Sequence, residues 1–141
     1  MSDLSLEVER VINATPKAIF EAWLDPKMLQ KFMMPGADMS VPSTSSDPRV
    51  GGRFEVVMHV NDRDLPHGGT YLEISPHERI VFTWESPFSR EDSEVTVSLA
   101  PASDGTKVTL SHIRFMDEER RDNHQMGWTR ILEVLETTLA A

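Results

Sequence analysis

His112 has the residue type and position for binding a ligand or transferring a proton. It shares strand parity with Val108 and Leu110, which predicts an ionisable imidazole on the buried face of a strand. A buried imidazole needs a hydrogen-bond partner, either a nearby backbone or hydroxyl group or a bound ligand. Both interpretations stay open. In the second, His112 contacts a ligand or acts as a general acid or base.

Gly127 and Trp128 form a second feature, because they lie in a predicted helix where glycine costs about 1 kcal/mol relative to alanine. Close packing of the helix on a sheet would explain the glycine. Alternatively, the absent side chain leaves room for a ligand, with Trp128 as one wall. His124 lies one helical turn earlier and could face the same space, although we favour the solvent edge for it.

Further aromatic and methionine side chains are candidates for the walls of a pocket. Tyr71 and Trp84 come from neighbouring strands and combine apolar area with a polar tip. Met58 is an adaptable side chain, and Phe32 lies in a short apolar helix. Core packing explains these residues nearly as well. The candidate ligand-binding residues are therefore Phe32, Met58, Tyr71, Trp84, His112, His124 and Trp128.

Other chemistries lack the residues they need. The chain has no cysteine, which excludes disulfides and thiolate ligands, and the five histidines show no metal-binding spacing. No serine lies in a Gly-x-Ser-x-Gly turn, and the paired glycines precede strands rather than helices. Strand parity relative to Leu72, Ile74 and Trp84 places Glu73 and Glu85 outside the sheet, against a glycosidase pair. We expect no metal and no cofactor.

Hydrophobic patterning predicts the elements that must position these residues. Alternation of Leu4, Leu6, Val8 and Ile12, interrupted by Arg10, indicates a first strand that ends near Asn13. Two short helices are predicted to follow, beginning at Pro16 and Pro26, and Pro35–Gly36 closes the second. Residues 37–50 indicate an exposed loop or an irregular edge strand.

Closely spaced strands then precede a long C-terminal helix. A strand opened by Gly51–Gly52 is followed by a turn at 61–64, and Gly68–Gly69 opens a strand over 70–74. Three more strands are centred on Phe82, Val97 and Leu110. The final helix carries apolar residues at helical spacing: Trp128, Ile131, Leu132, Leu135 and Leu139.

Short intervals between strands indicate antiparallel pairing, because parallel pairs need long crossovers. We therefore predict an α+β fold, with a curved antiparallel sheet of about six to seven strands around the C-terminal helix. Residues 1–141 are expected to form a single domain. A cavity between the helix and the sheet is the predicted ligand site.

The charge and the hydropathy of the chain limit the classes of partner and the location that we expect. Lys and Arg number 14 against 23 Asp and Glu, so the formal net charge is −9. This charge disfavours binding to nucleic acid or anionic lipid. The acidic, alternating N-terminus does not resemble a secretion signal, and no apolar run approaches the roughly 18 residues of a membrane span. We expect a soluble cytoplasmic protein without membrane insertion.

The order of several segments resembles one family along the chain, from Glu9 to Leu135. The carrying segments are AIFEAW (18–23) with DP (25–26), DPRVGGRF (47–54), GTYLEISP (69–76), ERIVFTW (78–84), and GW (127–128) ahead of Leu132 and Leu135. They are similar to the SRPBCC or START-like (Bet v 1-like) superfamily, specifically its activator of heat-shock protein 90 ATPase homologue-like branch. The sequence departs from that pattern at Phe32–Met33–Met34–Pro35, where a tryptophan near the Gly-Pro pair is typical.

The resemblance implies a helix-grip fold with two short helices closing one end of a deep cavity. Members of the wider superfamily bind lipids, sterols, hormones or polyketides, and some are cyclases. Our leading hypothesis is a protein that binds a small apolar molecule. The alternatives are a cyclase- or hydrolase-like enzyme that uses His112 and a chaperone-associated stress protein. A homodimer also stays open.

Overall fold

The computed structural model describes residues 4–34, 39–87, 89 and 92–140. Within these residues the elements follow in the order β1 (Ser5–Ile12), α1 (Pro16–Leu24), α2 (Pro26–Phe32), β2 (Ser40–Ser46), β3 (Arg53–Val60), β4 (Arg63–Ser75), β5 (Arg79–Thr83), β6 (Glu94–Ala102), β7 (Gly105–Ile113) and α3 (Glu118–Ala140).

The strands form one antiparallel sheet in the order β1-β7-β6-β5-β4-β3-β2. The sheet is curved, and α3 packs on it with a buried stripe formed by Trp128, Ile131, Leu132 and Leu135. Helices α1 and α2 follow β1, and α2 contacts both β2 and α3. The predicted α+β helix-grip fold is confirmed.

Local sequence explains where the helices begin. The Thr15 hydroxyl accepts a hydrogen bond from the Ala18 N–H at 3.1 Å, and the Asp25 carboxylate accepts one from the Lys27 N–H at 2.9 Å. A proline follows each cap at the first helical position, where its missing N–H costs nothing. Asp117 similarly accepts from the Arg120 N–H ahead of α3. The predicted closure at Pro35–Gly36 lies outside the described residues.

The long strand β4 corrects the predicted turn between β3 and β4. Asn61 and Asp62 alone form the turn, with φ angles of 52° and 61°. A two-residue turn with positive φ at both positions matches the twist of the flanking strands. The strand therefore begins at Arg63 and continues through the glycine pair, so the predicted turn at 61–64 and strand start at Thr70 were wrong. Of the two alternatives for residues 37–50, the structure shows an edge strand, β2, over Ser40–Ser46, while residues 37 and 38 lie outside the described residues.

An irregularity in β4 also changes one predicted orientation. The pairing of β4 with β5 shifts register between Tyr71 and Glu73. Because the shift breaks strict alternation, Tyr71 is buried while Leu72 is 45% exposed. Leu72 was therefore wrongly used as an inward reference, although Glu73 does lie outside, paired with Arg79 at 2.9 Å.

The charged residue on the inward face of β1 has a partner on α3. The Arg10 guanidinium donates to one Glu136 carboxylate oxygen from Nε at 3.0 Å and from Nη2 at 2.7 Å. Both side chains are about one third exposed, so the pair contributes at most about 1 kcal/mol. The pair links the last turns of α3 to β1.

None of the helices in the described ranges is both long enough and apolar enough to cross a membrane. The helix α3 is long, but it is too polar to cross a membrane, because charged residues alternate with the buried stripe along its length.

At Gly69, the backbone of β4 lies close against the end of β5. A Cβ built on Gly69 would lie 1.9 Å from the Thr83 carbonyl oxygen, whereas one on Gly51 would meet nothing within 4 Å. We predict that Gly69→Ala lowers the free energy of unfolding by at least about 3 kcal/mol. Gly51→Ala should cost only about 1–2 kcal/mol, because its φ of 86° is strained for alanine but its surroundings are open. Urea denaturation measures both, and equal costs would contradict the close approach.

Candidate functional site

A hydrogen-bonded chain connects the sheet to α3 through His112. The imidazole is fully buried on β7, and its Nε2 lies 2.5 Å from the Ser93 hydroxyl oxygen. On the other side of the ring, the Trp128 indole N–H donates to Nδ1 at 3.0 Å. Ser93 itself is placed by its carbonyl, which accepts from the Trp84 backbone N–H at 2.9 Å. The segment before β6, the strand β7 and the helix α3 are therefore joined at His112.

The Trp128 contact fixes the tautomer of His112. An indole N–H can only donate, so Nδ1 must present its lone pair, and the neutral ring carries its proton on Nε2. The Nε2–H then donates to the Ser93 oxygen. Burial, reinforced by the nearby His124, lowers the pKa of His112 from 6.5 to about 2. The ring is neutral at physiological pH, and both of its nitrogens are occupied.

This arrangement answers the question that the sequence left open about His112. A general base needs a free lone pair within reach of a proton, and a catalytic serine must donate its hydroxyl proton to the imidazole. Here Ser93 accepts from Nε2, and Trp128 holds the only lone pair. The geometry supports the interpretation of a histidine satisfied by its neighbours.

A pocket of about 170 Å³ lies between α3 and strands β3 and β4, next to Trp128. Its walls are mainly apolar: Met39, Met58, Leu65, Trp84, Gly127, Trp128 and Ile131 line it together with His67, Asn123 and His124. An apolar pocket with a few polar groups is the usual form of a small-molecule site. This pocket is our candidate functional site.

Four of the seven candidate ligand-binding residues line this pocket, namely Met58, Trp84, His124 and Trp128. The other three, Phe32, Tyr71 and His112, are buried outside its lining. Phe32 packs edge-on against Trp23, with ring centroids 5.1 Å apart. The Tyr71 hydroxyl lies 2.9 Å from the Ser46 hydroxyl, and burial raises the pKa of Tyr71. His112 lies behind Trp128, which it orients.

His124 occupies a different place from the one we favoured for it. It is half-buried rather than at the solvent edge, because its ring packs against both His112 and Phe115, at centroid distances of 5.3 and 5.2 Å. Its Nδ1 lies 2.7 Å from the Arg120 carbonyl oxygen. Burial is the main cause that lowers the pKa of His124.

Sequence reasoning missed His67, which is 8% exposed and lines the pocket. It pairs with Val56 across β3 and β4, and Val56 faces inward. The signal was present in the sequence, because a two-residue turn at Asn61–Asp62 sets this register. Nδ1 of His67 lies 2.9 Å from the Leu65 carbonyl oxygen, and burial lowers its pKa to about 4.

The described part of the chain holds no group of three or more histidine, aspartate or glutamate side chains placed to bind a metal ion. Glu73 and Glu85 also lie apart from the pocket, each in an ion pair on the outside of the sheet, with Arg79 and Arg53 respectively. The polar groups of the candidate site are therefore uncharged at neutral pH.

The sequence profile described as "Activator of Hsp90 ATPase homolog 1-like protein" matches residues 13–140. The chain belongs to this family. Among solved structures, a Chromobacterium violaceum protein is 28% identical, with a TM-score of 0.84 and 96% of each chain covered. A Silicibacter pomeroyi protein named for the same family is 26% identical, with a TM-score of 0.79, covering 97% of this chain and 98% of its own.

The fold of the Activator of Hsp90 ATPase homolog 1-like family is also seen in a solution structure from Aeromonas hydrophila. That chain is 24% identical, with a TM-score of 0.82, covering 95% of this chain and 90% of its own. No protein of curated function matches the chain. The family membership and the fold are thus established.

The buried histidine predicts a specific pH dependence of stability. Because the pKa of His112 is lowered in the folded state, the unfolded chain binds more protons below pH 6.5, and stability is lost as the pH falls towards the folded pKa. Between pH 7.5 and 5.5, His112 alone should remove about 1.4 kcal/mol from the free energy of unfolding. His112→Gln should therefore reduce the wild-type difference between these pH values by about that amount.

Urea denaturation at both pH values measures the effect. Leu110→Ala is the control, because it removes buried apolar volume from the same strand without removing a titrating group. It should lower stability equally at both pH values. A His112→Gln protein with the full wild-type pH difference would show that His112 is not buried in its neutral form.

Proposed function

We propose that the protein binds a small apolar molecule in the pocket between α3 and strands β3 and β4. The observation that carries this proposal is the pocket itself, about 170 Å³ with a predominantly apolar lining. An apolar cavity of about 150 Å³ is large enough to bind benzene. The pocket therefore suits a ligand of about one ring, bound mainly by burial of apolar surface.

The helix sequence supports a role for this space. Gly127 lies inside α3 and lines the pocket, although glycine weakens a helix by about 1 kcal/mol relative to alanine. A larger residue at this position would project a side chain from the helix at the pocket wall. The glycine thus contributes to the open volume, while Trp128 beside it supplies a flat apolar surface held by His112.

A larger cleft of about 470 Å³ surrounds the ion pair between Arg53 and Glu85. We do not assign the ligand to it, because the two side chains neutralise each other at 2.8 Å and both are well exposed. Charged, solvated walls provide little apolar burial. The smaller pocket under α3 is the better match to an uncharged ligand.

The other functional hypotheses have less structural support than ligand binding. Catalysis by His112 has no support in its geometry, since Trp128 and Ser93 occupy both ring nitrogens. A chaperone partner is suggested by the family description and stays a prediction, as does a homodimer. Neither has a docking feature among the described residues that would favour it over ligand binding.

Binding of toluene, titrated by NMR or calorimetry, tests the proposal. Wild-type protein should bind toluene with a Kd on the order of 1 mM or below. Gly127→Leu should weaken binding at least tenfold, because the added side chain occupies the pocket. Met126→Leu is the matched control: Met126 precedes Gly127 and is 67% exposed, so binding should be unchanged.

Thermal melts of both variants establish that they are folded. Absence of toluene binding to the wild-type protein, or equal binding by folded Gly127→Leu, would contradict the proposed site. Native mass spectrometry of the protein purified from its own organism would then identify the natural ligand by its mass.

A further inference from the structure

Trp84 lines the pocket and carries a buried hydrogen-bond donor without a partner among the described residues. Its side chain is 3% exposed, and the donor is the indole Nε1. A buried N–H without a partner costs about 1–3 kcal/mol, so such groups are rare in folded proteins. Trp128, also in the wall, donates its N–H to His112 and has no such deficit.

His67 brings an acceptor beside this donor. Its Nδ1 lies 2.9 Å from the Leu65 carbonyl, which can only accept, so Nδ1 carries the proton. With the ring neutral, Nε2 presents a lone pair. The ring centroids of His67 and Trp84 are 5.3 Å apart, so the rings that carry this acceptor and the free donor are neighbours in the pocket lining.

The same reasoning makes His124 a second acceptor. Its Nδ1 lies 2.7 Å from the Arg120 carbonyl, so its neutral ring also presents Nε2 as a lone pair. His67 and His124 both line the pocket, and His124 contributes to lowering the pKa of His67 after the larger effect of burial. The residues that line the pocket thus carry one unpartnered donor, on Trp84, and two imidazole acceptors, beside Asn123 and mainly apolar side chains.

We propose that the ligand is a small neutral alcohol or phenol, whose hydroxyl oxygen accepts from the Trp84 indole N–H and whose hydroxyl proton is donated to Nε2 of His67. This inference rests on the proposed function and specifies the ligand class for the same pocket. A hydroxyl group is the smallest group that donates and accepts at once, which is what a donor and an acceptor on neighbouring rings require.

Other ligand classes fit less well. A carboxylate would bring a second set of acceptors to the two imidazoles, in a protein of net charge −9 and without a cation in the pocket lining. A sterol or a fatty chain is far larger than the available 170 Å³. A plain hydrocarbon would fit but would leave the Trp84 N–H unpaired.

The comparison of p-cresol with toluene tests this proposal, because the two probes share one ring and one methyl group and differ by the hydroxyl. Water binds the cresol hydroxyl, so an apolar pocket without partners would favour toluene. We expect wild-type protein to bind p-cresol at least tenfold more tightly than toluene by calorimetry. The Trp84 indole N–H signal should shift downfield in the NMR spectrum on p-cresol binding only.

His67→Phe should reduce the preference for p-cresol to threefold or less while toluene binding persists. His59→Phe is the control, because His59 lies on the neighbouring strand, paired with Asp64, and does not line the pocket. It should keep the wild-type preference. Thermal melts show that both variants are folded.

The outcomes separate the two proposals. If p-cresol binds no more tightly than toluene, or if its preference survives His67→Phe, the hydroxyl assignment is overturned while apolar binding stands. If neither probe binds wild-type protein, the proposed function fails and this inference fails with it.

Discussion

The hydrogen-bonded chain from Ser93 through His112 to Trp128 is the constraint on which the site depends. It runs from the residue just before β6 through β7 to α3, with all three side chains buried. Hydrophobic packing alone would allow α3 to rotate or slide over the apolar face of the sheet. A buried hydrogen bond is directional, and breaking it leaves an unpaired polar group that costs about 1–3 kcal/mol. The chain therefore selects one rotation of α3, and with it the position of the Trp128 indole.

The position of the Trp128 indole determines where the pocket lies. With Trp128 turned towards His112, Gly127 lies at the pocket wall and leaves space that a side chain would fill. Trp84 packs against Trp128 with ring centroids 4.9 Å apart, so the wall on the sheet side is fixed by the same contact. The Arg10–Glu136 pair holds the far end of the helix on β1. The pocket is thus bordered by rigid elements, which favours a preformed site over one that closes around its ligand.

The sequence predicted most of the fold because hydrophobic period and capping residues agree with each other. Strand alternation, the prolines at 16 and 26, and the apolar stripe of α3 each indicate the observed element independently. The site was only partly predictable. Trp128 and Met58 followed from periodicity, whereas His67 depended on a register set by a two-residue turn that we placed wrongly.

The remaining differences between the predictions and the structure arise from tertiary contacts, which local sequence patterns do not reveal. The break in alternation at Leu72 arises from a register shift between two strands. His124 is drawn inward by rings from β7 and the segment before α3. Ser93 lies just before a strand, in a segment without periodicity, so its role as the partner of His112 could not be predicted.

The tautomer of His112 tests the account most directly. A long-range proton–nitrogen NMR spectrum distinguishes protonated from unprotonated ring nitrogens. We predict a protonated Nε2 and an unprotonated Nδ1 at pH 7, with the same state at pH 5, because burial keeps the ring neutral. A proton on Nδ1, or an imidazolium at pH 5, would contradict the Trp128 contact that fixes the helix and its pocket.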